Sequence, residues 1–518
     1  MEVKAGDYIV RGDQPYRTVA DMYFSVQNYA PSNPRPYDDT GWTFQYMRNL
    51  VIKPITDKSA LTQQMALLTT DAKAPGGIEG TGPVVVVDHT TDNALVTLRF
   101  KHATVKMQAA EADFDAAGRK FRAGSFIIPA GDRAALDATM KQLGISGFAM
   151  ASAPSVKTHD LDVPRIGYVH AWQRTQDEGW VRAAFDTYGV PYTYFSDLKL
   201  REGNLRQKYD VIVFPHVGGN AQSQVAGIPK GGGAPLPYKK TEQTPNLGGI
   251  DETDDIRGGM GWEGLMELRK FVEQGGTLLT EGSTAVIFPE YRFTNVTVED
   301  PEGLYVRGSV MRGMITDRTS PIAYGYDSQV PVYFSQSPVL SVGGGGGGGR
   351  GGGRGGGIPG VGMNISPMAN RQNVLSPYDP ENTQAPAPAT GVPAGGRGGR
   401  GAGGGGAEAA QGGRGGRGGF GGGGFGGEDP NRSRVIMSFP SNPNDMLLSG
   451  VLVGGEALAN RAQVIDSPLG QGHVVSFAIR PYWRWQTQGT YFLGFNTILH
   501  WNDLNAGRAP AQTSPSQQ

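Results

Sequence analysis

The chain contains no cysteine. That excludes a disulfide framework, a thiolate metal site and a cysteine nucleophile together. It also has no run of about 18 apolar residues, the length a membrane-spanning helix requires. Neither charge sign dominates, with 47 Lys and Arg against 48 Asp and Glu, so no overall field draws the chain to nucleic acid or an anionic membrane. The opening residues, MEVKAGDYIV, lack an apolar signal core. Histidine is scarce: the seven are His89, His102, His159, His170, His216, His473 and His500. None begins an H-x-x-E or HExxH pair, the spacing that sets zinc ligands on one helix face. The nearest approaches are His159 with Asp162 and His500 with Asp503. The first falls in an expected linker, the second in a closing helix where a solvent-facing pair is expected.

What is present begins with an internal echo. Lys4-Ala5-Gly6-Asp7-Tyr8-Ile9-Val10 parallels Arg122-Ala123-Gly124-Ser125-Phe126-Ile127-Ile128. Each reads as a basic residue, an Ala-Gly turn and a short aromatic and β-branched strand. An aspartate placed to cap a helix follows each, Asp13 before Val19–Met22 and Asp132 before Ala134–Met140. The second copy has a full lead-in: a buried strand at Val84–Asp88, an amphipathic segment at Asn93–Arg99, a strand at Thr104–Met107 and the hairpin-like EADFDAAGRKFRAG. The first copy has only Met1-Glu2-Val3 ahead of it. An unpaired strand edge is a liability that complete proteins manage, so the expectation is that the sequence starts inside a repeated unit.

The expected fold class is α/β. Residues 1–160 read as a mixed α/β region, with PYDDTGWT at 36–43 as a turn-rich link. A doubly wound, mainly parallel sheet domain is expected over 161–342 plus 428–506. Its strands are read at Arg165–His170, Pro191–Phe195, Tyr209–His216 and Thr277–Thr280, and its helices at Gln176–Tyr188 and Trp262–Gln274. Such alternation implies parallel pairing, with ligands beyond the carboxyl ends of the strands. That places His216–Asn220 and Glu281–Ser283 on one rim. A Gly/Pro-rich excursion occupies about 220–258. Residues 343–427 open with seven consecutive glycines and carry GGR repeats. They cannot bury enough apolar surface to offset their ordering entropy, so they read as a disordered insert in the sheet domain. Beyond it come strand Val435–Phe439, the run GQGHVVSFAIRPYWR at 470–484, a closing helix at Thr490–Leu504 and a loose tail at 507–518.

Taken together, KAGDYIVRGDQPYR, PYDDTGWT, RIGYVHAWQRTQDEGWVRAAFDTYGVPY, YDVIVFPH and GHVVSFAIRPYWRWQTQGT resemble the region downstream of the peptidase domain in large bacterial zinc carboxypeptidase-like proteins. Part of that region is similar to a class I glutamine-amidotransferase-like domain. The resemblance implies that this chain is the non-catalytic carboxyl-terminal part of a secreted or periplasmic metallocarboxypeptidase. Zinc is then expected only in the missing amino-terminal peptidase domain, which would also be the partner. No cofactor is expected in this chain, and no specific nucleic acid or membrane span.

The amidotransferase likeness implies a catalytic turn at Thr280-Glu281-Gly282-Ser283, where such enzymes place cysteine. Ser283 stands near that position, with His216 or His473 as the base it would need, although the run is not G-x-S-x-G. Arg480, Tyr482, Trp483 and Arg484 form an aromatic-basic cluster suited to a carboxylate or sugar ligand, or to a domain interface. Candidate ligand or interface residues are therefore His216, Glu281, Ser283, Arg480, Trp483 and Arg484, and no catalytic or metal residue is assigned. Three classes remain: an accessory region of a peptidase, an independent amidotransferase-like hydrolase or ligand-binding module, and RNA binding through GGR arginines with Phe420 and Phe425.

Overall fold

The computed structural model describes residues 4, 6–30, 33–129, 131–342 and 432–508. The Gly/Arg-rich insert and nearly all of the tail lie outside the described residues. The chain is α/β, and among the described residues a smaller six-stranded sheet and a larger twelve-stranded sheet stand beside two two-stranded ones. No helix among the described residues is long and apolar enough to cross a membrane.

The smaller sheet has six strands, in spatial order Gly77–Glu79, Ser146–Met150, Val84–Val87, Phe126–Pro129, Gln108–Ala110 and Thr158–Asp160. The segment 93–99 is a helix, Ala94–Lys101, and the strand expected at Thr104–Met107 forms later, at Gln108–Ala110. The hairpin-like stretch is a hairpin, Phe114–Ala116 with Arg119–Phe121. Asp132 caps helix Arg133–Leu143 by accepting the Ala135 N–H at 3.1 Å, and Gly144 ends it at φ +74°. Asp13 caps nothing. It pairs with Arg11 instead, and helix Arg17–Phe24 starts after Tyr16 without a side-chain cap.

Nine strands form the main path of the larger sheet: β1 Ile166–His170, β2 Thr193–Ser196, β3 Val211–Phe214, β4 Thr277–Glu281, β5 Ser309–Ile315, β6 Gln329–Phe334, β7 Arg434–Ser438, β8 Ala462–Leu469 and β9 Gly472–Phe477. Their spatial order is β2-β1-β3-β4-β9-β8-β7-β5-β6. The first five are parallel. From β9 onward every neighbour is antiparallel, so the doubly wound sheet continues into an antiparallel half.

Successive side chains of a strand point to opposite faces, and here both faces are dry. Tyr168, Val211, Val213, Leu279 and Val475 enter one core, beneath helix Gln176–Tyr188 and the closing helix Tyr491–Leu499. Val169, Ile212, Phe214, Leu278 and Val474 enter the other, beneath helix Gly261–Glu273. A parallel sheet covered on both faces reads as continuous apolar runs, which is why VIVF was legible as a strand. The first core also takes Val85, Val87, Phe126 and Ile128 of the smaller sheet, so the two sheets share it.

Histidines mark this shared boundary, contrary to their expected places. His159 lies in strand Thr158–Asp160, not a linker, and His500 is fully buried, not solvent-facing. Their rings meet, Nε2 of His159 to Nδ1 of His500, at 2.8 Å. Nearby, His89 Nε2 lies 3.0 Å from Asn496 Oδ1. That oxygen only accepts, so the imidazole carries its proton on Nε2.

Burial pushes the His89 pKa down to about 4 from an ordinary 6.5. The unfolded chain takes up this proton near pH 6.5 and the folded chain does not. Stability is therefore lost as pH falls from about 6.5 to about 4, by about 3 kcal/mol from this group. Urea titrations at pH 7.5 and 4.5 should show a larger acid loss in the native chain than in His89→Gln. Equal losses would mean that His89 is not held neutral.

Candidate functional site

The carboxyl ends of the parallel strands carry the polar residues singled out from sequence. Glu281 ends β4, and Gly282 follows at φ +54°. A Cβ at Gly282 would stand 2.5 Å from His216 Nδ1, so the close approach of these segments requires glycine there. Next comes Ser283, which is buried and bonded in three directions. Its Oγ accepts the N–H of Val217 at 3.2 Å and of Gly218 at 2.8 Å. Its own N–H donates to His216 Nδ1 at 2.9 Å. Its carbonyl accepts from Gln224 Nε2 at 3.1 Å.

This geometry bears on nucleophilic chemistry. Two converging backbone N–H groups are what an oxyanion hole presents to a developing charge. Here they are committed to the Ser283 hydroxyl oxygen. The ring nitrogen that reaches Ser283 accepts the backbone N–H, not the hydroxyl proton. His473 is at the wrong end of the sheet: the register pairs Thr277 with His473 and Glu281 with Phe477. Four residues of strand separate it from the rim, roughly 13 Å. It binds Asp466 at 2.7 Å instead. Ser283 and His216 are thus brought together, and His473 is not.

Arg480 and the adjoining residues face a different set of partners. Arg480 is buried and donates to Asp177 Oδ2 at 3.0 Å, with its guanidinium 4.5 Å from the Trp483 ring centroid. Trp483 stacks on Tyr333 at 4.5 Å and donates from Nε1 to Asp39 Oδ2 at 3.1 Å. Tyr333 donates to the other oxygen of Asp39 at 3.0 Å. Arg484 reaches Asp38 at 3.2 Å and Asp39 at 3.3 Å. Arg484 and Trp485 both take left-handed backbone, φ +47° and +60°, which non-glycine residues hold only when their surroundings fix them. The PYDDTGWT segment is therefore packed against the sheet, where its two aspartates meet the aromatic-basic cluster.

Dry surroundings disfavour the ionised form of a carboxyl group. Burial pushes Glu281 up to about 8, with Asp177 adding to the rise and Arg480 opposing it. Burial also pushes Asp39 and Asp177 up to about 6, against the pull of Arg484 and Arg480. Glu281 is thus mainly protonated at neutral pH.

Three members of this rim escaped the sequence reading: Asp39, Asp177 and Asp251. Asp251 comes from the 220–258 excursion, which folds back over the ends of β1 and β2. It accepts from His170 Nε2 at 2.9 Å, Ser196 N–H at 2.8 Å and Glu252 N–H at 2.9 Å, and pairs with Lys199. Only Asp177, in the first turn of helix Gln176–Tyr188 where a carboxylate is favoured, carried a local signal. Among the described residues no three His, Cys, Asp or Glu side chains are arranged to hold a metal ion. The GGR arginines lie outside the described residues.

No family model matches the chain, and no curated protein matches it. Solved structures similar to it include a cytoplasmic protein from Salmonella typhimurium, at 10% identity and TM-score 0.29, covering 64% of this chain and 97% of that one. A GMP synthase-type protein from Thermoplasma acidophilum gives 8% identity and TM-score 0.29, covering 65% and 92%. A ThuA-like protein from Bacteroides uniformis gives 8% identity and TM-score 0.28, covering 68% and 95%. Scores this low carry no functional inference, and the carboxypeptidase resemblance rests on the sequence strings alone.

Ser283→Ala removes the acceptor of two buried N–H groups, and chemical denaturation should show a loss of about 2 kcal/mol. A loss below about 0.5 kcal/mol would show that the hydroxyl does not tie the turn. Glu281→Gln tests the raised pKa. In the native chain the folded carboxyl binds its proton below about 8, whereas the unfolded one waits until about 4.5, so this group makes stability rise as pH falls through that window. The Gln variant should lose that contribution. An unchanged slope would place the Glu281 carboxyl in its ordinary range.

Proposed function

We propose that the chain is a non-catalytic α/β module that works by docking within a larger assembly. One observation carries this reading: Ser283, at the turn where an amidotransferase-like fold would hold its nucleophile, has its oxygen tied to the Val217 and Gly218 N–H groups. The rest of the rim supports it. Asp251 covers the ends of β1 and β2, and Asp38 and Asp39 engage the cluster suggested for a ligand. The finer reading makes the assembly a zinc-carboxypeptidase-like protein, with this chain accessory to its peptidase domain. Its support is the long sequence strings quoted above.

A fluorophosphonate probe, which labels activated serines, distinguishes this from the hydrolase alternative. The native chain should label no more than Ser283→Ala, and neither should release product from simple ester or glutamine substrates. Stoichiometric labelling mapped to Ser283 would overturn the proposal and restore the hydrolase.

A further inference from the structure

The smaller sheet meets the closing helix through histidines. His89 follows strand Val84–Val87, and His159 lies in strand Thr158–Asp160. Across the seam stand Asn496, in helix Tyr491–Leu499, and His500, the residue that ends it. All four are buried. Other ties across the seam are neutral: Thr97 Oγ1 donates to the Tyr188 carbonyl at 2.8 Å, and Asn93 Nδ2 to the Gln488 carbonyl at 3.0 Å.

One proton lies between the two rings of the His159–His500 pair. They stand edge to face, centroids 4.9 Å apart, with Nε2 of His159 at 2.8 Å from Nδ1 of His500. One nitrogen donates and the other accepts. Protonating both rings fully would set two N–H groups head to head and two like charges in a dry site. His500 Nε2 and His89 Nδ1 have no hydrogen-bond partner among the described residues. A proton added at either nitrogen would therefore be buried without an acceptor.

The charged surroundings are uneven. Glu111 Oε1 lies 3.4 Å from His159 Nδ1, and Glu111 pairs with Lys157 at 2.7 Å. Asp503, just past the closing helix, also acts on His159, with Asp160 and Asp162 near it. His89 feels Asp88 and Arg122, which are paired with each other. Tyr324 packs against both rings of the pair, 5.3 Å from His500 and 6.3 Å from His159, and burial keeps its hydroxyl protonated. Arg434 and Asp317, which act on Tyr324, are paired as well. Carboxylates thus favour one added proton on His159. Burial and the neighbouring imidazoles oppose one on His500.

We propose that this seam is a proton-operated joint, in which acid loosens the smaller sheet from the closing helix before the larger sheet unfolds. Once the two separate, His89 and His500 regain water and each binds a proton at the ordinary value of about 6.5. His159 takes its proton in either state, beside Glu111 and Asp503. Below about pH 6.5 the loosened seam therefore holds two more protons than the docked one, and docking weakens as pH falls. Each of these protons shifts the balance about 30-fold between pH 7.5 and 5. The joint lies apart from the Ser283 rim and needs nothing from the docking role proposed above.

Hydrogen exchange of the full chain, read by mass spectrometry as protection factors, divides out the intrinsic pH dependence of exchange. From pH 7.5 to 5, protection at Phe126–Pro129 and Thr158–Asp160 should fall on the order of 1,000-fold. At each pH it should lie on the order of 10-fold or more below that at Val211–Phe214, because the smaller sheet opens alone. His89→Gln and His500→Gln should each reduce the fall to about 30-fold, with protection at Val211–Phe214 verifying that they fold. Equal protection in the two sheets at every pH would overturn the joint, since the chain would then open only as a whole. A fall below about threefold in the native chain, or one that neither substitution reduces, would overturn it too.

Discussion

A parallel sheet has no wet face, and the five parallel strands of the larger sheet are dry on both sides. Polar chemistry is thereby confined to the strand ends. Glu281, Asp177 and Asp39 gather there under the same desolvation that packs Val211, Val213 and Leu279 beneath them. Their raised pKa values follow from that placement. Taking such groups out of water is unfavourable unless each finds a partner; Glu281 Oε2 has no hydrogen-bond partner among the described residues, whereas the other rim groups are paired. Arg480 serves Asp177, Trp483 and Tyr333 serve Asp39, and the Val217 and Gly218 N–H groups serve Ser283.

The segments that close this rim come from far along the chain. Asp39 reaches across to Trp483, and Asp251 to His170. A buried ionic network of this type adds little net stability over a well-packed apolar one. It does fix where each segment sits, because a displaced aspartate would leave a buried guanidinium or indole N–H unpaired. Residues 36–43 are held in this way on the larger sheet.

Much of the fold was legible from local pattern. VIVF at 211–214 reads as a strand because both its faces are buried. Gln176–Tyr188 reads as a helix from its apolar spacing and from Gly189, which ends it at φ +68°. Asp132 announced its cap. The antiparallel half, β5 to β8, was harder to read, because sequence carries no sign of which strand a given strand will neighbour. The candidate site was legible in part. His216, Glu281 and Ser283 follow strands that sequence identifies, so the rim rule places them together.

Partners distant in sequence were invisible. Nothing near His159 or His500 marks them as neighbours, yet their rings touch across the boundary between the two sheets. His473 and His216 looked equally fit to serve Ser283, and only the register of β4 against β9 puts His473 at the other end. The sequence by itself determined which segments are strands or helices and which residues crowd the strand ends, because those follow from spacing and turn chemistry within a few residues. Tertiary structure alone decided that the rim is closed and that Ser283 is tied to backbone. Each of these depends on what a group meets across hundreds of residues, and local periodicity carries no record of that.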